Sequence, residues 1–262
     1  MLEIQRQQKL LELLAANQFM RVVDLTVALN ASEATIRRDI AKLSEDKRLL
    51  KIRGGAQALD DKEIPNKRLN SSAFWPSIET HKQAKTAIAK VAVELCQDGD
   101  PVIINGGTST YMMGQFLVGR KINILTNSLV LANELAANTE CQITLPGGEI
   151  YREQGIILSA FDDDAIPHYN AKYMFMGSPA INEQGVMESD PLLVRSERKL
   201  RKQAEKLVVL ADSSKLGALS QFVLCRLDEI DILITDRDAD SRFVARLQKQ
   251  GVQVIIAPVN NT

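Results

Sequence analysis

The stretch Asn30-Ala31-Ser32-Glu33-Ala34-Thr35-Ile36-Arg37-Arg38-Asp39-Ile40-Ala41-Lys42-Leu43-Ser44-Glu45 decides the reading of this chain. Ile36, Ile40 and Leu43 recur at i, i+4 and i+7, the spacing of one buried helical stripe. Ser32 stands where a hydroxyl accepts a bond from a first-turn N–H, so the helix is predicted to start there. The opposite side carries Glu33, Thr35, Arg37, Arg38 and Lys42. Arginine grips guanine through two donors, and serine or threonine reaches phosphate or a thymine methyl.

Working outward, a first helix is predicted over about 5–15, with Leu10, Leu11, Leu13 and Leu14 apolar, and Asn17-Gln18 breaks it. A second is predicted over about 22–29, with Val23, Val27 and Ala28 at helical spacing, and the polar turn Asn30-Ala31 follows. After the basic helix, residues 49–53 alternate like a strand, Gly54-Gly55 turns the chain, and 56–59 return. This order is that of a winged helix-turn-helix, whose second element enters the major groove N-terminus first. Residues 1–59 are therefore expected to form a DNA-binding domain. Its contacts with double-stranded operator DNA are expected from Ser32, Glu33, Thr35, Arg37, Arg38, Lys42, Lys51 and Arg53. The last two sit on the wing, where cations suit phosphate.

Composition constrains the rest. The chain has 262 residues, 45% hydrophobic and 25% charged, ordinary values for a globular protein with room for one large or two unequal domains. A net charge of −1 does not by itself announce a nucleic-acid binder, and residues 1–60 hold ten Lys and Arg against eight Asp and Glu. Cys96, Cys141 and Cys225 are too far apart for a metal-ligand set or a disulfide framework, so no metal or cofactor is expected. No apolar run approaches the length of a membrane span, and the polar N-terminus does not read as a signal peptide. A cytoplasmic protein without membrane contact is expected.

Residues 60–80 read as a linker, polar and containing Pro65 and Pro76. Phe74 and Trp75 are the exception and are expected to dock, because exposed aromatics are costly. From 81 to 262, strands and helices alternate. Helices are predicted over 85–95, 109–117, 129–137, 192–204 and 243–250. Strands are predicted over 102–104, 122–125, 143–145, 173–176, 207–211, 232–235 and 252–256. Such alternation implies a largely parallel sheet covered on both faces, with ligands at the carboxyl ends of its strands. Four of those ends carry anion-suited turns: Asn105-Gly106-Gly107-Thr108-Ser109-Thr110, Thr126-Asn127-Ser128, Pro146-Gly147-Gly148-Glu149 and Asp212-Ser213-Ser214-Lys215. The residues expected to hold an effector are Asn105, Gly106, Gly107, Thr108, Ser109, Thr110, Asn127, Ser128, Gly147, Gly148 and Lys215.

These residues carry a resemblance. Residues 31–40 and the run Arg53-Gly54-Gly55-Ala56 resemble the recognition helix and wing of the deoxyribose-operon-repressor (DeoR) family. Residues 105–110, 126–129, Gly147-Gly148, Phe175-Met176-Gly177, 212–215 and Ile234-Thr235-Asp236 resemble its sensor blocks, in the same order. The resemblance implies a sugar-phosphate-isomerase-like α/β sensor behind the winged helix-turn-helix. It implies a repressor of a sugar or sugar-acid catabolic operon, a homo-oligomer (dimer or tetramer) relieved by a phosphorylated sugar or sugar acid. Residues 102–110, 154–159 and 174–190 are similar to the branch that controls L-ascorbate utilisation, which implies L-ascorbate 6-phosphate as the effector.

Two departures stand out. Lys47 replaces a glycine common before the wing. After Phe-x-Gly, Ser178-Pro179-Ala180 replaces the family's usual acidic residue and glycine, leaving Glu183, Glu188 or Asp190 as substitutes. The alternative function is a sugar-phosphate isomerase-like enzyme. Isomerisation needs a general base of suitable pKa on a C–H beside a carbonyl. None of the carboxylates sits in a recognisable catalytic block, and His81 and His168 fall in linker and loop settings. A dinucleotide site is disfavoured because Gly106-Gly107-Thr108 lacks the G-x-G-x-x-G spacing.

Overall fold

The computed structural model describes residues 3–17, 19–45, 48–58, 74–159 and 164–258. The chain divides into two compact units, Met1–Leu69 and Asn70–Thr262. Lys47, residues 60–73 of the expected linker and the Trp75 side chain lie outside the described residues.

In the first unit, α1 (Glu3–Asn17) is followed by β1 (Phe19–Arg21), α2 (Val22–Leu29), α3 (Glu33–Glu45), β2 (Leu50–Ile52) and β3 (Gly55–Gln57). Leu10, Leu14, Val22, Leu25, Leu29, Ile36, Ile40, Leu43, Leu49 and Ala56 make its core. The three strands form an antiparallel sheet in the order β1-β3-β2. The buried stripe of α2 differs from the expected one. Val22, Leu25 and Leu29 face inward at i, i+3 and i+7, while Val23 and Val27 are 61% and 80% exposed. The first strand was not expected either, since three residues hold too little alternation to be read.

The second unit opens with α4 (Phe74–Glu79) and α5 (Lys82–Glu94). The end of the expected linker is thus helical, because Phe74 and Ile78 bury into the core and Phe74 meets Tyr111 edge-on at 5.6 Å. Then come β4 (Pro101–Ile104), α6 (Thr108–Tyr111), β5 (Asn123–Leu125), α7 (Leu129–Asn138), β6 (Gln142–Thr144), β7 (Glu149–Tyr151) and β8 (Ile156–Leu158). They are followed by β9 (Ala171–Gly177), β10 (Ala180–Asn182), β11 (Gly185–Glu188), α8 (Pro191–Arg201), β12 (Ala204–Leu210), β13 (Phe222–Cys225), β14 (Ile232–Asp236), α9 (Ser241–Lys249) and β15 (Gln253–Ala257). Where one helix was expected over 109–117, α6 tightens into a 3-10 turn at Met112–Phe116.

Seven strands form one all-parallel sheet in the order β15-β14-β12-β9-β4-β5-β6. Their side chains alternate between two cores. Val102, Ile104, Phe175, Val208 and Leu210 face α5 and α7, while Ile103, Met174, Met176, Leu207 and Val209 face α8 and α9. A sheet buried on both faces explains the unbroken apolar runs in the sequence. The hairpin β7-β8 and the antiparallel sheet β10-β11-β13 stand beside it.

Candidate functional site

The helix-turn-helix is built locally. Asn30 closes α2 in the left-handed conformation (φ 47°), which asparagine tolerates, and the Ala31 N–H donates to the Thr26 carbonyl at 3.2 Å. Ser32 Oγ accepts from the Thr35 N–H at 3.3 Å and meets Thr35 Oγ1 at 2.8 Å, the expected cap. Asp39 turns inward from α3, 2% exposed, to accept from Arg6 Nε at 2.6 Å and Gln7 Nε2 at 3.2 Å, which fixes α3 against α1.

The outer face of α3 holds Glu33, Arg37, Arg38 and Lys42 exposed, with Thr35 half-buried. Arg37 folds back on Glu33, with Nε to Oε1 at 3.0 Å and Nη2 to Oε1 at 2.5 Å. Ser32 and Glu33 therefore shape this face as much as they present it. Lys51 and Arg53 are exposed on the wing.

The second unit has a cavity of about 310 Å³ at the carboxyl ends of the parallel strands. Gly106, Gly107, Thr108, Ser109 and Lys215 line it, as expected from the sequence. Asn105, Thr110, Asn127 and Ser128 instead hold the walls. Asn127 Oδ1 accepts from the Gly106 N–H at 2.8 Å, Thr110 Oγ1 donates to the Gly107 carbonyl at 3.0 Å, and Ser128 Oγ caps α7 through the Leu131 N–H at 3.2 Å. Gly106 needs to be glycine because a Cβ there would collide with the Ile156 side chain. Gly147 and Gly148 are not among the cavity residues. Gly148 (φ 152°) passes the Leu158 carbonyl too closely for a Cβ, so its role is to start the β7-β8 hairpin.

Sequence reasoning missed two of the three buried ionisable side chains that line the cavity, the third being Glu188. Lys85 on α5 is 4% exposed, and its Nζ donates to the Ser77 carbonyl at 2.5 Å. Burial lowers its pKa, Asp212 opposes that, and the Lys215 charge adds to it. Glu197 on α8 is 7% exposed, and burial together with the Glu188 charge pushes its carboxyl well above the usual range, against a bond from Asn105. Both interrupt an apolar stripe, Lys85 with Ile88, Ala89 and Ala92, Glu197 with Leu193 and Leu200. That placement was the readable signal. Of the three candidate carboxylates near the Ser178-Pro179-Ala180 departure, only Glu188 lines the cavity. Glu183 pairs with Arg246 at 3.1 Å on the surface, and Asp190 caps α8 and accepts from the Tyr151 hydroxyl at 2.7 Å.

Among the described residues, no helix is long and apolar enough to cross a membrane, and no group of His, Cys, Asp and Glu is arranged to hold a metal. Cys96 and Cys225 are buried, which raises both thiols to about 12.

A winged helix-turn-helix carried on one chain with an α/β unit that bears a polar cavity defines a DNA-binding transcriptional regulator. Comparison with known proteins agrees. The DeoR-like helix-turn-helix domain matches residues 6–62, and the DeoR C terminal sensor domain matches residues 80–237. The HTH-type transcriptional regulator UlaR of Shigella dysenteriae serotype 1 (strain Sd197) is 35% identical over 259 residues, 97% of this chain and 99% of that one. UlaR of Escherichia coli O1:K1 / APEC is 34% identical over the same shares. Among solved structures, ribose 5-phosphate isomerase A from Methanocaldococcus jannaschii aligns over 53% of this chain and 55% of that one, at 17% identity and a TM-score of 0.40. The chain belongs to the DeoR family of transcriptional regulators.

Proposed function

We propose that this protein is a cytoplasmic repressor of a sugar or sugar-acid catabolic operon, and that a phosphorylated sugar metabolite bound in the α/β unit relieves repression. The observation that carries the reading is the convergence of the Gly106–Ser109 turn with Lys85 and Lys215 on one cavity. Backbone N–H groups at a first helical turn lack intrahelical acceptors, and two lysines beside them supply the charge a phosphate needs. L-Ascorbate 6-phosphate is the first effector to try, supported by the similarity of residues 102–110, 154–159 and 174–190 to the ascorbate branch and of the whole chain to UlaR.

On the DNA side, Arg38 and Arg37 reach base edges or phosphate, while Lys42, Lys51 and Arg53 hold the backbone. A homo-oligomer sets two recognition helices on repeated half-sites. The effector changes DNA affinity only through its differential affinity for the DNA-competent and released arrangements. An isomerase reading is disfavoured, because Ser178-Pro179-Ala180 stands where the family usually has an acidic residue and glycine, and isomerisation needs a general base placed on the reacting C–H.

The test is a thermal-shift screen of phosphorylated sugars and sugar acids, with every hit carried into a DNA-release assay. Binding confined to the folded state adds about 2.7 kcal/mol at a hundredfold excess over Kd. A hit that also releases promoter DNA supports the reading. Silence across phosphorylated ligands with DNA binding intact removes the phosphosugar half.

A further inference from the structure

The cavity has two chemically different ends. The charges felt by Lys85 are those of Asp212 and Lys215, and the charge felt by Glu197 is that of Glu188. The separation follows from the fold. Lys85 rides on α5, packed on one face of the parallel sheet, and Glu197 on α8, packed on the other. Both side chains nevertheless line the same cavity.

On Glu197 one atom stands out. Glu197 Oε1 accepts from Asn105 Nδ2 at 2.8 Å, but Oε2 is buried with no hydrogen-bond partner. Glu188, also 7% exposed and lining the same cavity, is satisfied at Oε1 by the Ser189 N–H at 2.6 Å and the Ser189 hydroxyl at 3.0 Å. A buried polar atom without a partner is rare in folded proteins and calls for one. Glu197 and Glu188 set two buried carboxyl groups on the lining of one cavity. A ligand hydroxyl has a proton to donate to a carboxyl oxygen and lone pairs to accept with. A ligand carboxylate can only accept, and it would face two acidic side chains with no proton to offer them.

We infer that Glu197 and Glu188 form a hydroxyl-reading end of the effector cavity, so that the ligand is a phosphorylated polyol, aldose or lactone with its hydroxyl-bearing end there, and not an open-chain phosphorylated acid with a free carboxylate. This rests on the phosphosugar reading of the same cavity. It narrows that reading from sugars and sugar acids to ligands whose far end carries hydroxyls.

Two probes that differ at one carbon test it. D-Glucitol 6-phosphate ends in a hydroxymethyl group where D-gluconate 6-phosphate ends in a carboxylate. In calorimetric titrations of the full chain, the polyol is expected to bind about tenfold or more tightly than the acid. Glu197→Leu is expected to shrink that preference to about threefold or less, and Glu197→Gln, which keeps an acceptor oxygen, to preserve its direction. Equal affinities, tighter binding of the acid, or a preference that survives Glu197→Leu would overturn the inference. The wild-type comparison decides alone should Glu197→Leu fail to fold. If neither probe binds, the inference falls. Titration with L-ascorbate 6-phosphate then shows whether the phosphosugar reading falls with it.

Discussion

Asn105 and Glu197, 92 residues apart in sequence, are joined by a 2.8 Å bond from Asn105 Nδ2 to Glu197 Oε1. Asn105 Oδ1 also accepts from the Gly177 N–H at 3.3 Å. One side chain at the end of β4 thus ties the phosphate-suited turn to β9 and to the buried acid of α8.

Asn105→Ala removes both bonds from a site that is 1% exposed. Leaving Glu197 without its donor is expected to cost about 1–3 kcal/mol of stability. Effector affinity is expected to fall as well, because the carboxyl loses its fixed orientation. Chemical denaturation and ligand titration of the same preparation check this. Unchanged values in both would mean that the bond holds nothing in place.

Asp39→Ala is expected to unfold the DNA-binding unit preferentially. Asp39 is buried against Arg6 and Gln7, and removing one partner of a buried pair costs about 3–5 kcal/mol. The effector cavity belongs wholly to the other unit, so effector binding is expected to persist while DNA binding is lost. Loss of both functions together would show that the two units do not fold independently.

Arg38→Ala is expected to weaken operator binding and spare effector binding, and Lys215→Ala to do the reverse. Lys51→Ala is expected to lower the slope of log affinity against log salt by about one, as one phosphate contact disappears. Gel-shift and calorimetric titrations over a salt series check all three. A base contact by Arg38 would appear as relaxed sequence preference at one operator position.

Stability is expected to fall with rising pH through Glu197. Burial holds its folded-state pKa above the ordinary 4.5. From there up to the folded-state value, the folded chain keeps a proton that the unfolded chain has released, so its contribution is full at low pH and is lost as pH rises. Glu197→Gln removes this dependence. The melting temperature of the wild type is therefore expected to drop relative to Glu197→Gln as pH rises above the ordinary carboxyl value of 4.5. Parallel curves would show that Glu197 is ionised in the folded state.

The recognition helix was legible because Ile36, Ile40 and Leu43 share a stripe, Ser32 caps it, and the charges fall opposite. The parallel sheet was legible because its strands are buried on both faces and read as apolar runs. Short antiparallel pieces such as β1, β10 and β11 hold three or four residues each and left no alternation to follow. The stripe of α2 was misread because its six apolar residues surround the helix, and only packing selects Val22, Leu25 and Leu29 over Val23 and Val27. In the cavity, glycine and hydroxyl turns announced one end. Lys85 and Glu197 stayed hidden inside helices rich in other charges, since their meeting is a product of tertiary packing.

The most direct test of the central claim is the affinity of the full chain for its own promoter DNA, measured at fixed salt with and without L-ascorbate 6-phosphate. Differential binding to two states predicts a fall in DNA affinity, which Lys215→Ala abolishes while its affinity for DNA without effector is retained. Unchanged DNA affinity at saturating L-ascorbate 6-phosphate, with binding of that compound verified by calorimetry, would contradict the account.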